Sequence, residues 1–495
     1  MKKSFIFYMA CFLTLLITAC GIVSSNEKIA DLAPTSKSKE AVASFQQGLL
    51  LADQGDGQKA RALFIKAIEQ DPKMAVAYIF KASTDFSPKE FKDDLNKAKA
   101  NLKGANKWEK LYYDYDMTFF TSDWNKRLEL AQKMVSSYPG AARAHVELGN
   151  TYLGGNENAK ARESFQKAVD LDPSWVGGYS ALTNAYLFTD PKDFNKAEQT
   201  ALKAVELAPM SPGVEIALGD CYRAQNNLEK ARDAYSKAIQ LDPDSPGAYF
   251  KKGHANSFLG NFDEARQNYT DGAKHDEVKF GDITDIGFTY LYAGNNEMAM
   301  KYLMDECQKM DAAGETKDRT TIAKVNCMDA CARIAMHNGD AAKIKELTSM
   351  MDPLNAEITN DLGTREAKLF LKSGKSYWQA ITNAIEGNFD VAKAKAEEIK
   401  TTLEPVKDPT KLYSYEFAMG YINFKQKNNA EAISHFEKSN PSGSVYNKYW
   451  LAMANEAAGN KDKASALYKE IAVYNFNEIG YALIRNEVKK KLETL

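Results

Sequence analysis

Several things are scarce in this chain, and each scarcity excludes something. Only 14 of 495 residues are proline, and no strand pattern runs far enough to compete with helical periodicity, so an all-α chain is left standing. The five histidines, His145, His254, His275, His337 and His435, are scattered. No glycine loop that cradles phosphate follows a strand, and no nucleophile elbow is present. Paired carboxylates lie on exposed helical faces, as in any solvated helix. Catalysis, a cofactor and a metal site are therefore not expected. Charge of one sign is missing too, because 64 Lys and Arg nearly cancel 66 Asp and Glu. Without a basic excess to follow phosphates, nucleic-acid binding is not expected. The one basic run, Lys489 to Lys491, suits a helix C-terminus, where the dipole favours cations.

What is present is a spaced signature. Leu148, Gly149, Tyr152, Ala161, Phe165, Ala168 and Pro173 recur at the same offsets as Leu218, Gly219, Tyr222, Ala231, Tyr235, Ala238 and Pro243. Steps of three and four divide the signature into two helices, A and B. Small residues (Gly149, Ala161) stand where the helices cross, and rings (Tyr152, Phe165) fill the space beside them. Glycine and asparagine mark the turns on schedule, at Gly155 and Asn156, Asn226 and Asn227, Gly260 and Asn261, Gly294 and Asn295, Gly387 and Asn388, and Gly459 and Asn460. Asp-Pro pairs, at Asp71, Asp172, Asp242 and Asp352 with the prolines after them, read as unit ends.

The signature resembles the tetratricopeptide repeat (TPR). The resemblance implies an α-solenoid of about eleven stacked helix pairs in a right-handed superhelix. Matches are strong between Ala142 and about Asp276 and eroded on either side. The expected organisation is a solenoid over 40–311, a hinge in the polar run 312–321, and a divergent solenoid over 322–495. An aromatic group at Trp108, Tyr112, Tyr113, Tyr115, Phe119, Phe120 and Trp124 reads mainly as core, with Tyr113 and Phe120 off the stripe and free to face a partner or carbohydrate.

The first residues read as an address. Lys2 and Lys3 precede an apolar stretch, Phe5 to Ile17, too short for a comfortable membrane span. The stretch ends in Ile17, Thr18, Ala19, Cys20 and Gly21, which resembles the bacterial lipobox. That resemblance implies cleavage after residue 19, acylation of Cys20, and outer-membrane rather than inner-membrane retention, since Gly21 and not Asp follows. Residues 20–39 then read as the lipidated cysteine and a flexible tether. Export leaves Cys221, Cys307, Cys327 and Cys331 to explain. A Cys307 disulfide to Cys327 or Cys331, and simple burial as small apolar groups, are both open.

In the TPR family the A helices line a concave face, and positions 2, 5, 9, 12 and 13 of the unit meet ligands. Carried onto this sequence, position 9 gives Asn150, Asn184, Asp220, His254 and Phe288, and position 5 gives Phe250 among others. Positions 12 and 13 add Leu187, Phe188, Arg223, Phe258, Leu291 and Tyr292. The resemblance thus points to a groove of Asn150, Asn184, Asp220, Arg223, Phe250, His254, Phe258, Phe288 and Tyr292 that takes an extended peptide. The carboxylate clamp of chaperone-binding members is not expected, because Val146 stands where that clamp needs lysine. The functional expectation is a scaffold, lipid-anchored in the cell envelope and facing the periplasm, that binds protein or peptide partners. The alternative is a nutrient- or glycan-capture lipoprotein similar to the starch-binding outer-membrane family, whose long inter-helix insertions this chain lacks.

Overall fold

The computed structural model describes residues 33–494. The expected leader 1–19, Cys20 and most of the tether lie outside the described residues. The last tether residues do not hang free: Thr35 donates its amide to Glu109 Oε1 (2.8 Å), and Asn106 Nδ2 bonds the Ala33 carbonyl (2.8 Å).

Every element among the described residues is helical, and the helices pair in chain order. The first six pairs are α1 (Lys39–Asp53) with α2 (Gly57–Gln70), α3 (Ala75–Ala82) with α4 (Pro88–Asn101), α5 (Lys107–Thr121) with α6 (Trp124–Ser137), α7 (Ala142–Gly154) with α8 (Asn158–Leu171), α9 (Val176–Phe188) with α10 (Phe194–Leu207), and α11 (Pro212–Ala224) with α12 (Leu228–Leu241). The next six are α13 (Pro246–Leu259) with α14 (Phe262–Ala273), α15 (Ile283–Tyr292) with α16 (Asn296–Lys309), α17 (Lys317–Asn338) with α18 (Ala341–Leu362), α19 (Arg365–Ile385) with α20 (Phe389–Leu403), α21 (Tyr413–Lys425) with α22 (Asn429–Lys438), and α23 (Val445–Ala457) with α24 (Lys461–Ala472). A last helix, α25 (Ile479–Thr494), has no partner of its own. The architecture is an all-α solenoid, twelve pairs and a single helix where about eleven pairs were expected.

Side-chain volume explains why each pair closes. A methyl group placed on Gly149, Gly219 or Gly253 would fall within 3.0 Å of the ring of Phe165, Tyr235 or Tyr269, and Gly48 and Gly420 stand in the same relation to Phe64 and Phe436. All five rings are fully buried. The A helix therefore lies directly on the aromatic ring of its B helix, an approach a larger residue would prevent. The turns behave as their residues dictate: Asn156, Asn226, Gly260, Gly294, Gly387 and Gly459 all adopt positive φ.

The pairs α17 to α19 depart from this rhythm. Helices α17 and α18 are 22 residues each and α19 is 21, where most A and B helices have 13 or 14. Pro353 does not end a unit as its Asp-Pro pair suggested; α18 continues through it to Leu362. The reason is position: Pro353 and Ser349 are both exposed, so water reaches the carbonyl that the proline leaves unbonded. The extra turns reach the first units. Lys92 Nζ on α4 bonds the carbonyls of Asp361 (2.7 Å) and Leu362 (2.8 Å) at the end of α18, and Arg319 on α17 pairs with Glu90 at 2.7 Å. Of the polar run 312–321, the second half forms the first turn of α17, with Thr320 and Thr321 buried.

The solenoid also closes on itself along its edges. Lys407 pairs with Asp123 (2.7 Å), Tyr413 bonds Asn156, and the α1–α2 turn docks on later connections, with Lys59 to Asp242 at 2.6 Å and Asp53 accepting from Arg143 (2.6 Å) and Trp175 (2.7 Å).

Candidate functional site

The A helices α7, α9, α11, α13 and α15 carry the residues expected at a groove, and the structure divides them. Asn150 and Asn184 are exposed; Asn150 makes one long bond, 3.5 Å to Glu147. From α11 onward the ladder turns inward and is bonded. Asp220 Oδ1 accepts from Arg223 Nη2 (2.7 Å) and Tyr235 Oη (2.6 Å), and its Oδ2 accepts from Lys251 Nζ (2.8 Å). Burial pushes the Asp220 carboxyl up, but the charges of Arg223 and Lys251 and the bonds from Lys251 and Tyr235 outweigh it and hold it at about 2.

His254 continues the chain of contacts. Its Nδ1 lies 3.2 Å from Arg223 Nη1 and its Nε2 3.3 Å from Asp285 Oδ2. A guanidinium only donates, so Nδ1 accepts and the proton sits on Nε2, facing Asp285. Burial lowers the His254 pKa, and Arg223 and Lys251 add to that, against the opposing pull of Asp285. Asp220 to Lys251, Arg223 to His254 and His254 to Asp285 are each 31 residues apart, so one register stitches three A helices together. Lys251 and Asp285 are not among the residues expected from the repeat. The signal for them is in the sequence as charge at this 31-residue spacing.

The positions nearest the ends of the A helices are covered by the chain itself. The non-helical stretch between α24 and α25 crosses them, placing Phe476 against the ring of Phe188 (4.9 Å between centroids) and under the guanidinium of Arg223 (4.7 Å). Asn475 Nδ2 donates to Asn226 Oδ1 (2.7 Å), and Asn477 donates to Asp285 Oδ1 (2.6 Å) while accepting from Tyr292 Oη (2.8 Å). Then α25 seals the far end, with Arg485 Nη2 on the Phe258 carbonyl (2.8 Å), Asn486 Nδ2 on the Tyr292 carbonyl (2.9 Å), and Tyr481 against both Phe258 and Tyr292. These bonds satisfy carbonyls that the last turns of α13 and α15 leave open. Arg223, Phe258 and Tyr292 are thus buried; Phe288 is buried as well, and Phe250 is half-buried beside Tyr269.

Other expectations resolve locally. Tyr113 is buried, and Phe120 packs on Phe91 at 5.1 Å, so neither is the exposed ring of α5; that ring is Phe119, with Arg127 over its face at 3.8 Å. Cys221, Cys307, Cys327 and Cys331 are free and buried, and burial pushes the Cys331 thiol up to about 12. The histidines stay apart; His435 pairs with Glu416 (2.7 Å) and His337 with Glu487 (3.0 Å). Among the described residues no three His, Cys, Asp or Glu side chains gather to hold a metal, and no helix is long and apolar enough to cross a membrane.

Comparison with known proteins agrees with this architecture. The family described as "TPR repeat" matches residues 219–257, and that described as "Tetratricopeptide repeat" matches 142–174 and 246–274. No curated protein matches the chain. Among solved structures, MamA is similar at 25% identity over 33% of this chain and 95% of its own, with a TM-score of 0.28. YrrB, described as a TPR protein with an unusual peptide-binding site, is similar at 21% identity over 36% and 91%, with a TM-score of 0.26. The APC/C hetero-tetramer Cut9-Hcn1 is similar at 14% identity over 90% and 76%, with a TM-score of 0.40. The helix pairs and the glycine-on-ring crossings agree with the matched segments: the chain carries tetratricopeptide repeats at 142–174 and 219–274 within an all-α solenoid, consistent with a protein-binding scaffold.

Proposed function

We propose that this protein is a lipid-anchored scaffold of the bacterial cell envelope, held by Cys20 in the outer membrane and facing the periplasm, that binds protein or peptide partners on its concave face. The observation that carries the binding part is the open half of that face. Asn150 and Asn184 present side-chain amides to solvent on adjacent A helices, whereas the equivalent Asp220 and His254 are bonded to neighbouring helices. Amides so placed are able to bond the backbone of an extended chain. The anchoring part rests on the basic start, apolar run and lipobox-like Cys20 of the sequence.

Two experiments separate the parts. Labelled fatty acid is expected to enter wild type and not Cys20→Ala; equal labelling rejects the anchor. Pull-down from solubilised envelope is expected to recover a partner with wild type and much less with Asn150→Ala plus Asn184→Ala. Recovery unaffected by the pair removes the open half of the groove from the function.

A further inference from the structure

Residues 474–478, Tyr-Asn-Phe-Asn-Glu, belong to no helix, bend at Asn475 (φ 48°), and touch three A helices or their turns: α9 at Phe188, α11 at Arg223 and Asn226, and α15 at Asp285 and Tyr292. They engage that surface as a bound peptide does. One aromatic, Phe476, enters an apolar cluster with Leu187, Leu218, Cys221 and Ala224, and the asparagines on either side of it are hydrogen-bonded to different repeats. From this we infer that 474–478 is a built-in ligand of the groove, and that the groove also accepts a partner segment of the same chemistry: a non-helical stretch with an aromatic residue flanked by side-chain amides. The inference deepens the reading of the concave face as a binding surface and rests on it.

Two features argue for exchange rather than a permanent seal. Arg223 is 1% exposed and its Nη atoms are bonded to Asp220 and His254, yet its Nε finds no acceptor while the Phe476 ring covers the guanidinium. A competing segment that carries an acceptor to this atom gains a bond the built-in one lacks. Beside Tyr474 and Phe476 there is also an unfilled cavity of about 630 Å³, walled by Pro191, Phe194, Val445 and Ile471. Its volume is that of a ligand site. With Asp190, Lys192, Lys448 and Glu470 also on its walls, it gives room of mixed polarity for the residues that precede the motif in an incoming chain.

The test uses the full chain and a fluorescein-labelled peptide of residues 472–480, read by fluorescence anisotropy. Phe476→Ala frees the groove of its own aromatic, and the peptide is expected to bind this variant at least tenfold more tightly than wild type. Adding Arg223→Met is expected to abolish the gain. Asn477→Ala removes two hydrogen bonds but keeps the ring, and is expected to give a smaller gain in the same direction, so an unfolded Phe476→Ala does not end the test. No binding to either variant, equal binding to variants and wild type, or a gain indifferent to Arg223→Met overturns the inference. A partner that is pulled down through Asn150 and Asn184 while the peptide fails leaves the scaffold reading standing. A peptide that binds without any envelope partner does the reverse.

Discussion

The two halves of the A-helix face differ in how the same repeat position is bonded. In α7 and α9, position 9 carries Asn150 and Asn184, uncharged and exposed. In α11 and α13 it carries Asp220 and His254, and each finds a charged partner on the next A helix. Where position 9 carries Asp220 or His254, the helices are stitched laterally by a bond to a charged group on the next one. Where it is a neutral amide, no bond reaches the next A helix; Asn150 makes only its long bond to Glu147 on its own helix. A single position thus decides whether a repeat is bonded to its neighbour or left open, and the C-terminal segment lies across the stitched helices and reaches Phe188 of α9.

The comparison breaks most severely at Asp220. Asp220→Ala leaves Arg223 and Lys251 without their shared carboxylate, in a site with little access to water, and should cost about 3 to 5 kcal/mol. Asn184→Ala, one repeat earlier, should stay within about 0.5 kcal/mol. Denaturant midpoints with unchanged slope measure both, and a similar small effect at the two positions would erase the distinction between the halves.

A second comparison uses the crossings. Gly219→Ala drives a methyl group into Tyr235, which is buried and tied to Asp220, and should cost about 1 to 3 kcal/mol. Gly154→Ala on α7 meets nothing within 4 Å and should be neutral. Thermal unfolding of the pair decides whether crossing geometry, and not helix propensity, is what those glycines serve.

Acid should loosen the stitched half in two stages. The lowered His254 pKa means that the folded protein takes up this proton less readily than the unfolded chain, whose histidine titrates near about 6.5. Stability therefore falls as pH drops below about 6.5 and stops falling on this account below the folded value. Asp220, held at about 2 against an ordinary value of about 3.9, keeps its contribution down to about pH 4 and loses it as pH falls further. Urea midpoints between pH 7.5 and 5 should fall in wild type and fall less in His254→Gln.

Much of this architecture is legible in the amino-acid sequence. The crossings are readable because a missing Cβ and a large ring must alternate where helices touch, and the turns because only glycine and asparagine take positive φ cheaply; Asn156, Asn226, Gly260 and Gly294 all do so. The aromatics of α5 mislead at Tyr113 and Phe120 because a helical stripe reports one face, and α5 packs against neighbours on more than one, Phe91 of α4 among them. Pro353 misleads because a proline stops a helix only when its lost hydrogen bond goes unanswered, and here the site is exposed. The covering of Arg223, Phe258 and Tyr292 has no local signal at all. The residues that cover them lie 185 to 253 positions away, joined to the groove only because the solenoid turns its end back onto its middle.

The most direct test of the account is site-specific photo-crosslinking in the living cell, with a photoreactive residue at Asn184 on the open half and, as control, at Gln166, exposed on helix α8. The account predicts a discrete protein adduct at Asn184 and none at Gln166. No adduct at Asn184, or the same adduct at both positions, would contradict it.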